Sequence, residues 1–524
     1  MALYIGFDSS TQSLTATVID AGGSAQRRVI AEDVVVFDEA LPAFGTTRGV
    51  HTSADGRTVT APPGMWVAAL DALLGRLRDA GVDLASVRAV SGSAQQHGSV
   101  YLNAGAADAL AHLDPARPLA AQLEGVFARP GAPVWLDCST SGECSELTAA
   151  MGGASALADL TGSRAYERFT AAQIRKFAVS EPQRYAATAR IHLVSSFMAS
   201  VLCGADAPID PGDASGTNLM DLAASEWSLR AVEATAPDLL RRLPRIRESW
   251  TIAGSIAPYF RRRFGFGDAK VVTWSGDNPC ALIGLGLVEA GHLGVSLGTS
   301  DTVFAATPRP NPDPSGSGHV FASPAGGFMA LTCFANGSLA RERVRDAYGL
   351  DWSGFSEMLR STPPGNGGAL MVPWFVPEIT PTVAARGPVR QDLDPADAAR
   401  NVRAVVEGQA MAMRLHSQWF APSVTTIRAT GGAAANPDIL QILADVFDAE
   451  VVQIAPPNAA SLGAALRAFH ADRRSELTWS DVLAGFTDPI PGAGARPRPD
   501  AARAYAALLP RYAALSGKLT GTPC

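Results

Sequence analysis

The chain has 524 residues, of which 47% are hydrophobic and 18% charged, an ordinary globular balance that excludes a disordered chain or a disulfide-stapled miniprotein. Its 43 basic and 50 acidic residues give a net charge of −7, which disfavours a protein that binds nucleic acid through a basic domain. At roughly 100–200 residues per domain, we expect two or more domains.

The chain begins with a strand–turn–strand pattern. Residues 3–7 and 14–19 are strand-like, and the turn between them is rich in hydroxyl groups. The pattern recurs 288 residues later, at residues 293–297 and 302–306. This repeat predicts two halves of similar topology.

Strands and helices alternate between and after the two copies, which predicts an α/β protein. The strand-like segments are residues 87–91, 134–136, 271–274, 427–430 and 451–454. The segments with helical periodicity are residues 64–79, 143–151, 186–203, 398–420, 461–470 and 501–516. The loops predicted from proline and glycine are residues 308–327, 361–368 and 486–499. A further helix is expected to begin after the N-cap Asn436, because Pro437 suits its first turn.

The cysteines and the N-terminus favour a soluble cytoplasmic protein with free thiols and no membrane partner. No two of the cysteines have the spacing of a zinc knuckle or a redox motif; they are Cys138, Cys144, Cys203, Cys280, Cys333 and Cys524. The chain lacks a basic, cleavable start and an apolar stretch of about 20 residues.

The small-residue turns raise the question of phosphate binding. A P-loop is excluded because the single Gly-Lys pair, at residues 517–518, is followed by leucine, and a complete dinucleotide fingerprint is also missing. Backbone amides at Gly298 and Thr299 remain as phosphate ligands. Asp8 would hold magnesium directly or through water, unless Asp8 and Ser10 only form an Asx-type turn. Gly432 would suit an adenosine, or would belong to a plain strand-to-helix turn.

Asp277 is the candidate general base. It follows a strand and precedes an apolar helix, in which Pro279 is expected at the first position. The positive helix end would keep the carboxylate ionised, as a base for a sugar hydroxyl requires. The alternative is that Asp277 or Asn278 only caps the helix. His97 and Gln96 follow another strand and would hydrogen-bond a neutral sugar, although a lone histidine is more often structural.

Together these segments resemble the FGGY family of carbohydrate kinases, in the sugar kinase/heat-shock chaperone/actin superfamily. In one-letter code the matching segments are residues 6–12 (GFDSSTQ), 91–99 (SGSAQQHGS), 135–140 (WLDCST), 165–170 (AYERFT), 276–279 (GDNP), 295–302 (VSLGTSDT), 333–339 (CFANGSL), 429–432 (ATGG) and 445–449 (DVFDA). The resemblance implies two actin-like (ribonuclease H-like) domains around a central cleft. We therefore expect an N-terminal domain at 1–290, a C-terminal domain at 291–473, and a linker with a helix at 474–524.

The resemblance also implies ATP-dependent phosphorylation of a sugar, D-xylulose first, with Mg²⁺ as cofactor and with ADP released. Asp277 corresponds to the general base and Asp8 to the carboxylate that organises magnesium. The expected sugar contacts are His97, Arg168, Asp277 and Asn278, together with Gln96 beside them. The expected ATP contacts are Thr11, Gln12, Gly298, Thr299, Trp352, Gly432 and Asn436.

Two alternatives stay open at this point. The first is another kinase of the same family, acting on ribulose, a polyol or a related ketose. The second is a non-enzymatic actin-like ATPase, although the residues after 470 are too few for a peptide-binding domain. The sequence does not distinguish a monomer from a homodimer.

Overall fold

The computed structural model describes residues 2–23, 27–384, 387–454, 456 and 458–520, so that Cys524 lies outside the described residues. The strands are β1 Leu3–Ser9, β2 Ser13–Asp20, β3 Arg28–Val36, β4 His51–Thr52, β5 Val59–Ala61, β6 Val87–Ala94, β7 Ser99–Leu102, β8 Ala132–Pro133, β9 Arg190–Leu193, β10 Met220–Asp221, β11 Glu226–Trp227, β12 Ile252–Ser255, β13 Lys270–Val272, β14 Ser275–Gly276, β15 His292–Leu297, β16 Asp301–Thr307, β17 His319–Ala322, β18 Phe328–Phe334, β19 Leu370–Val372, β20 Val389–Gln391, β21 Thr426–Thr430, β22 Glu450–Gln453 and β23 Gly494–Ala495.

The helices are α1 Phe37–Ala40, α2 Pro63–Asp79, α3 Ala106–Ala111, α4 Leu119–Leu123, α5 Ser141–Ala150, α6 Ala154–Thr161, α7 Thr170–Ser180, α8 Pro182–Ala186, α9 Val194–Cys203, α10 Pro211–Ala214, α11 Leu229–Thr235, α12 Leu239–Arg242, α13 Pro258–Phe264, α14 Asp277–Gly284, α15 Ser338–Ala347, α16 Trp352–Ser361, α17 Ala398–Ser417, α18 Pro437–Phe447, α19 Ala459–Arg473, α20 Trp479–Leu483 and α21 Pro499–Thr520. In the described part of the chain, no helix combines the length and apolar character needed to span a membrane.

The chain divides into two compact units, and the α/β class predicted from the sequence is confirmed. The first unit consists of Met1–Val288, Val320–Phe328 and Pro456–Thr487. The second unit consists of Glu289–His319, Met329–Ala455 and Asp488–Cys524. The contiguous domain limits at 290 and 473 stay a prediction.

The first unit is built on a sheet with the order β12-β13-β6-β1-β2-β3, in which β14 continues beside β6. β1 pairs antiparallel with β2 and parallel with β6, and β6 pairs parallel with both β13 and β14. The largest apolar cluster joins this sheet to α2 and α9, and a smaller cluster joins it to α19. Helices therefore cover both faces of the sheet, as parallel strands require.

Helix α19 is held against the first unit's sheet by close backbone packing and by charge. A Cβ atom at Gly6 of β1 would overlap the backbone of α19. At the other end of the helix, Asp472 accepts hydrogen bonds from Tyr4 (2.9 Å), Arg88 (2.6 Å) and Lys270 (2.7 Å). Burial raises the pKa of Asp472, but these hydrogen bonds outweigh burial and lower the pKa to about 2.

The second unit repeats the central pattern of the first. Its sheet has the order β17-β18-β16-β15-β21-β22-β23, in which β15 pairs antiparallel with β16 and parallel with β21. The strand–turn–strand repeat is thus confirmed, but the second turn is one residue shorter. Ser9 pairs with Leu14 in the first copy, whereas Leu297 pairs with Asp301 in the second.

Several predicted elements are wrong in detail. Residues 186–203 are not one helix, because 190–193 form β9, which pairs with β7. Residues 134–136 form a turn after β8, closed by a hydrogen bond from the Asp137 N–H to the Val134 carbonyl (2.9 Å). Residues 271–274 are divided between β13 and a segment before β14, and β17 and β23 lie in segments predicted as loops. Helix α14 begins at Asp277, so that Pro279 is its third residue; proline is tolerated there because the first-turn N–H groups have no partner within the helix.

Candidate active site

Three neighbouring strands of the first unit end at the same edge of the sheet. Asp8 of β1 pairs with Ser93 of β6, and Ser93 pairs in turn with Ser275 of β14. The Ser93 hydroxyl donates to the Asp8 carboxylate over 2.7 Å, which ties the carboxylate to the neighbouring strand. Because ligands of such sheets bind outside the carboxyl ends of the strands, this edge is the candidate site.

Asp277 follows directly at this edge as the first residue of α14. Burial raises the pKa of its carboxyl group to about 7, and the charge of Asp8 adds to this increase. The Asn278 N–H donates to the carboxylate over 2.8 Å and lowers the pKa. The helix end thus acts in the direction predicted from the sequence, but burial outweighs it. A carboxyl group with this pKa can accept a proton near neutral pH.

Gln96 and Asn278 lie beside the candidate base. The Asn278 side-chain amide donates to Gln96 Oε1 over 2.9 Å and to the Asp277 carboxylate over 2.9 Å. Gln96 is 3% exposed, and its Nε2 donor has no hydrogen-bond partner. A buried donor without a partner costs free energy, so this amide is suited to a ligand oxygen.

His97 presents a hydrogen-bond acceptor. Its Nδ1 atom lies 2.6 Å from the Gly216 carbonyl oxygen, which can only accept, so we place the proton on Nδ1. Burial and the nearby Arg168 charge lower the pKa of His97 to about 3. The ring is therefore neutral, and its Nε2 atom is an acceptor. The ring also stacks on Phe169, with 4.2 Å between centroids.

Arg168 supplies positive charge beside this neutral ring. Its guanidinium group lies over the ring of Tyr166, at 4.6 Å from the centroid, and 5.5 Å from that of Phe169. The structure thus brings Asp8, Gln96, His97, Asp277 and Asn278 together with Arg168 in the first unit. Forked donors and neutral acceptors of this kind suit a polyhydroxylated, uncharged ligand.

The other two residues predicted in this unit lie in the β1–β2 turn. The Thr11 hydroxyl donates to Gln95 over 3.5 Å and accepts from the Trp135 indole N–H over 2.8 Å. Gln12 is exposed. Ser10 donates both its hydroxyl and its backbone N–H to the Ser13 carbonyl, each over 3.0 Å, so its N–H does not close an Asx-type turn with the Asp8 carboxylate.

The second unit carries the glycines predicted to bind ATP. Gly298 and Thr299 form the turn between β15 and β16. Gly431 has a positive φ of 90°, and a Cβ atom there would overlap the Leu297 backbone. At Gly432, by contrast, a Cβ atom would meet nothing within 4 Å. Gly431 therefore allows close packing at the end of β15, while Gly432 leaves open space beside it.

Asn436 is hydrogen-bonded to α16, the helix that begins with Trp352. Asn436 caps α18 by accepting from the Asp438 N–H (3.0 Å), as predicted, and its Nδ2 donates to Ser356 (2.7 Å). Ser356 lies four residues after Trp352 in α16, so both share one face of that helix. Trp352 is 44% exposed, and the Arg345 guanidinium lies 4.5 Å from its ring centroid.

Three contacts of the first unit's site were not predicted. Gly216 orients His97, and no sequence signal marks it. Phe321 lies 6.5 Å from His97 between ring centroids, within a segment predicted as a loop without a role. Trp135 bonds to Thr11, and its position at the start of the WLDCST segment was the available signal.

A metal ion would have few protein ligands here. Among the described residues, no group of three or more His, Cys, Asp or Glu side chains could hold a metal ion. Asp8 alone offers a hard carboxylate oxygen at the end of β1. This fits Mg²⁺, which binds through one or two carboxylates and otherwise through water and phosphate oxygens.

Comparison with known proteins identifies the class. Residues 131–284 match the N-terminal domain, and residues 293–471 the C-terminal domain, of the FGGY family of carbohydrate kinases. The xylulose kinase of Mus musculus is 44% identical over 529 residues, covering 99% of this chain and 94% of that protein. The chain belongs to the FGGY family of carbohydrate kinases. Its substrates are therefore ATP and a sugar.

Solved structures agree on the fold. The ligand-bound xylulose kinase of Lactobacillus acidophilus is 16% identical, with a TM-score of 0.82 and with 99% of each chain covered. The gluconate kinase of the same organism has the same identity and TM-score, covering 99% of this chain and 98% of that one. The actin-like fold predicted from the sequence is confirmed, and it is shared by kinases named for different sugars.

Proposed function

We propose that this protein transfers the γ-phosphate of ATP to the 5-hydroxyl group of D-xylulose. The choice of sugar is supported by the mouse xylulose kinase, whose 44% identity extends over 99% of this chain. The observation that carries the chemistry is Asp277, a half-buried carboxyl group whose pKa is raised to about 7 beside a cluster of neutral hydrogen-bonding groups.

The first unit binds the sugar in this proposal. Arg168 and Gln96 Nε2 donate to sugar oxygens, and His97 Nε2 accepts from a sugar hydroxyl. Asn278 holds the Asp277 carboxylate through its side-chain amide. A sugar that lacks one of these hydroxyls would leave a buried polar group unpaired, so the site discriminates among sugars strongly.

Asp277 then acts as the general base. As the 5-hydroxyl oxygen bonds to the γ-phosphorus, its proton passes to the Asp277 carboxylate. The bond between that phosphorus and the oxygen bridging to the β-phosphate breaks, and ADP leaves with that oxygen. Positioning of the hydroxyl and stabilisation of the phosphate charge supply most of the rate enhancement in such transfers.

The nucleotide contacts are divided between the units in the proposal. Thr11 and Gln12 in the first unit and Gly298 and Thr299 in the second bind phosphates, mainly through backbone N–H groups. Gly432, Asn436 and Trp352 bind the adenosine. Asp8 would hold Mg²⁺ directly or through water, and that ion would compensate phosphate charge. A cytoplasmic location and the oligomeric state stay predictions.

The base is tested with Asp277→Ala in the full-length protein. We expect sugar-dependent ADP formation to fall at least about a thousandfold while ADP still binds, because nucleotide contacts are unchanged. The matched control is Asp472→Asn, at a carboxylate of the same unit whose side chain is 1% exposed. This variant should lose stability but keep its turnover. An Asp277→Ala variant that retains most of its turnover would show that another group is the base.

The sugar is tested with a panel of ketoses and polyols in a coupled ADP assay with ATP and Mg²⁺. D-xylulose should give the highest kcat/KM. The second candidate substrate is ribulose, a polyol or a related ketose, because kinases named for different sugars share this fold and the fold does not select one of them. A higher kcat/KM for ribulose, another ketose or a polyol would select that candidate instead. The actin-like ATPase without kinase activity is set aside, because the chain belongs to a kinase family.

A further inference from the structure

A buried ion pair between Asp301 and Arg341 lies beside the turn formed by residues 298–300. Asp301 directly follows the turn, and Arg341 lies on α15. The two residues are 0% and 1% exposed, and they form two parallel hydrogen bonds of 2.9 and 3.0 Å between guanidinium and carboxylate. This fork-to-fork geometry fixes both distance and orientation.

A third side chain extends the support into α17. Gln409 Oε1 accepts from Arg341 over 3.0 Å, while its Nε2 donates to the Asn336 carbonyl (2.6 Å) and the Gly337 carbonyl (2.9 Å). The next residue, Ser338, donates its backbone N–H to the Gly298 carbonyl over 2.9 Å. Both ends of the turn are therefore connected to α17 through one hydrogen-bonded network.

The backbone at Gly337 packs so closely against the 298–300 turn that a side chain would not fit there. A Cβ atom at Gly337 would lie 2.8 Å from the Thr299 carbonyl oxygen and 2.8 Å from the Asp301 nitrogen. The terminal nitrogens of Arg341 already donate to Asp301, Gln409 and Ser338. The terminal nitrogens of Arg341 and the Asp301 carboxylate are thus paired within the protein, while the buried Arg341 Nε has no hydrogen-bond partner among the described residues. The ion pair therefore acts on the turn.

We infer that Asp301 and Arg341 are positioning residues that hold the 298–300 turn in the conformation in which its backbone N–H groups bind the phosphates of ATP. This inference rests on the proposed function, in which that turn is a phosphate site. Burying a charged pair has a large desolvation cost, so a buried pair is weak evidence that its only role is to stabilise the fold. A rigid, preorganised phosphate loop gives such a pair a functional reason, because amide donors bind an anion only when they converge.

The same unit contains a matched control. Arg403 and Glu407 form a buried pair on α17, with 2.6 Å between Nε and Oε1. Tyr505 of α21 joins this pair by accepting from Arg403 (2.9 Å) and donating to Glu407 (2.6 Å). The control pair has the same chemistry and lies on the helix that carries Gln409, but its further bonds run to Tyr505 of α21 and to residues 359–365, not to the 298–300 turn.

The experiment compares Asp301→Asn and Arg341→Lys with Arg403→Lys and Glu407→Gln in the full-length protein. For each variant we would measure the melting temperature, the dissociation constant of ADP without sugar, and KM for ATP and D-xylulose. We expect the first pair of variants to weaken ADP binding and raise KM for ATP about tenfold, with KM for D-xylulose within about twofold of the parent. The control variants should lower the melting temperature alone.

Two further variants keep the test decisive. Gln409→Leu removes the neutral link without leaving a buried charge unpaired, and it should weaken ADP binding even if the charge variants do not fold. Thr299→Pro probes the turn itself, because proline removes one of its backbone N–H groups. If Thr299→Pro weakens ADP binding while Asp301→Asn, Arg341→Lys and Gln409→Leu behave like the controls, the positioning role is wrong. If Thr299→Pro also leaves ADP binding unchanged, the phosphate role of the turn in the proposed function is wrong.

Discussion

Gly463 of α19 lies against the carbonyl oxygen of Cys280 in α14, so close that a Cβ atom on Gly463 would overlap that oxygen. A Cβ atom on Gly284 of α14 would likewise overlap the backbone of α19. The two helices therefore touch backbone to backbone. Because α14 begins at Asp277, this contact sets the position of the candidate base.

Gly463→Ala is expected to push α14 away from α19. We predict a loss of about 1–3 kcal/mol in the free energy of unfolding, from overpacking, and a fall in kcat of about tenfold or more, from displacement of Asp277. The control is Gly75→Ala in α2, where a Cβ atom meets nothing within 4 Å. That change should stabilise the protein by about 0.5–1 kcal/mol and leave kcat unchanged. Denaturant unfolding measures the free energy of unfolding, and steady-state kinetics measure kcat. Equal values for the two variants would contradict the prediction.

His97→Asn is expected to remove the sugar acceptor without straining the backbone. His97 has a positive φ of 72°, a region that asparagine tolerates well. The asparagine amide can donate in place of His97 Nδ1, but its side chain is too short to place an acceptor at the position of Nε2. We predict an increase in KM for D-xylulose of about tenfold or more, with KM for ATP unchanged. His192→Asn, at another buried histidine of the same unit, is the control, and an equal increase there would indicate a general structural effect.

The pH dependence of kcat/KM for the sugar should report the ionisation of Asp277. Its pKa is raised to about 7, so the basic carboxylate form is lost as the pH falls through that value. Mg²⁺ held at Asp8 in the proposed function would lower the apparent pKa of Asp277, which would place the acid limb at or below pH 7. His97 does not contribute, because its pKa is lowered to about 3. We expect kcat/KM to fall about tenfold per pH unit below the midpoint. Rates that stay flat down to pH 5 would contradict this assignment.

Asp277→Asn is expected to stabilise the protein at neutral and alkaline pH. An unfolded aspartate ionises near pH 4, whereas folded Asp277 ionises near pH 7, so the parent loses stability as the pH rises between these values. The asparagine variant does not pay this cost. Its gain should be small at pH 4.5 and reach at most about 4 kcal/mol at pH 8. Melting temperatures across this range test the sign, and a gain that shrinks with rising pH would refute it.

The sequence by itself determined the local chemistry of this protein. Strand ends and helix caps depend on neighbouring residues, so the sequence predicts them directly. Examples are Asp8 after a buried strand, Asp277 before an apolar helix and Asn436 before Pro437. The order of these segments along the chain was sufficient to predict the family, which the comparisons then confirmed.

Only the tertiary structure decided which elements meet. Nothing in residues 459–473 indicates that α19 covers the first unit's sheet, and residues 190–193 become a strand only because β7 is available to pair. The Gly216 carbonyl that orients His97 and the Arg341 side chain beneath the 298–300 turn are likewise distant in sequence from the groups they hold. Turns and caps are formed by adjacent residues and so leave local patterns, whereas packing, burial and the resulting pKa of Asp277 arise from contacts between residues far apart in the chain.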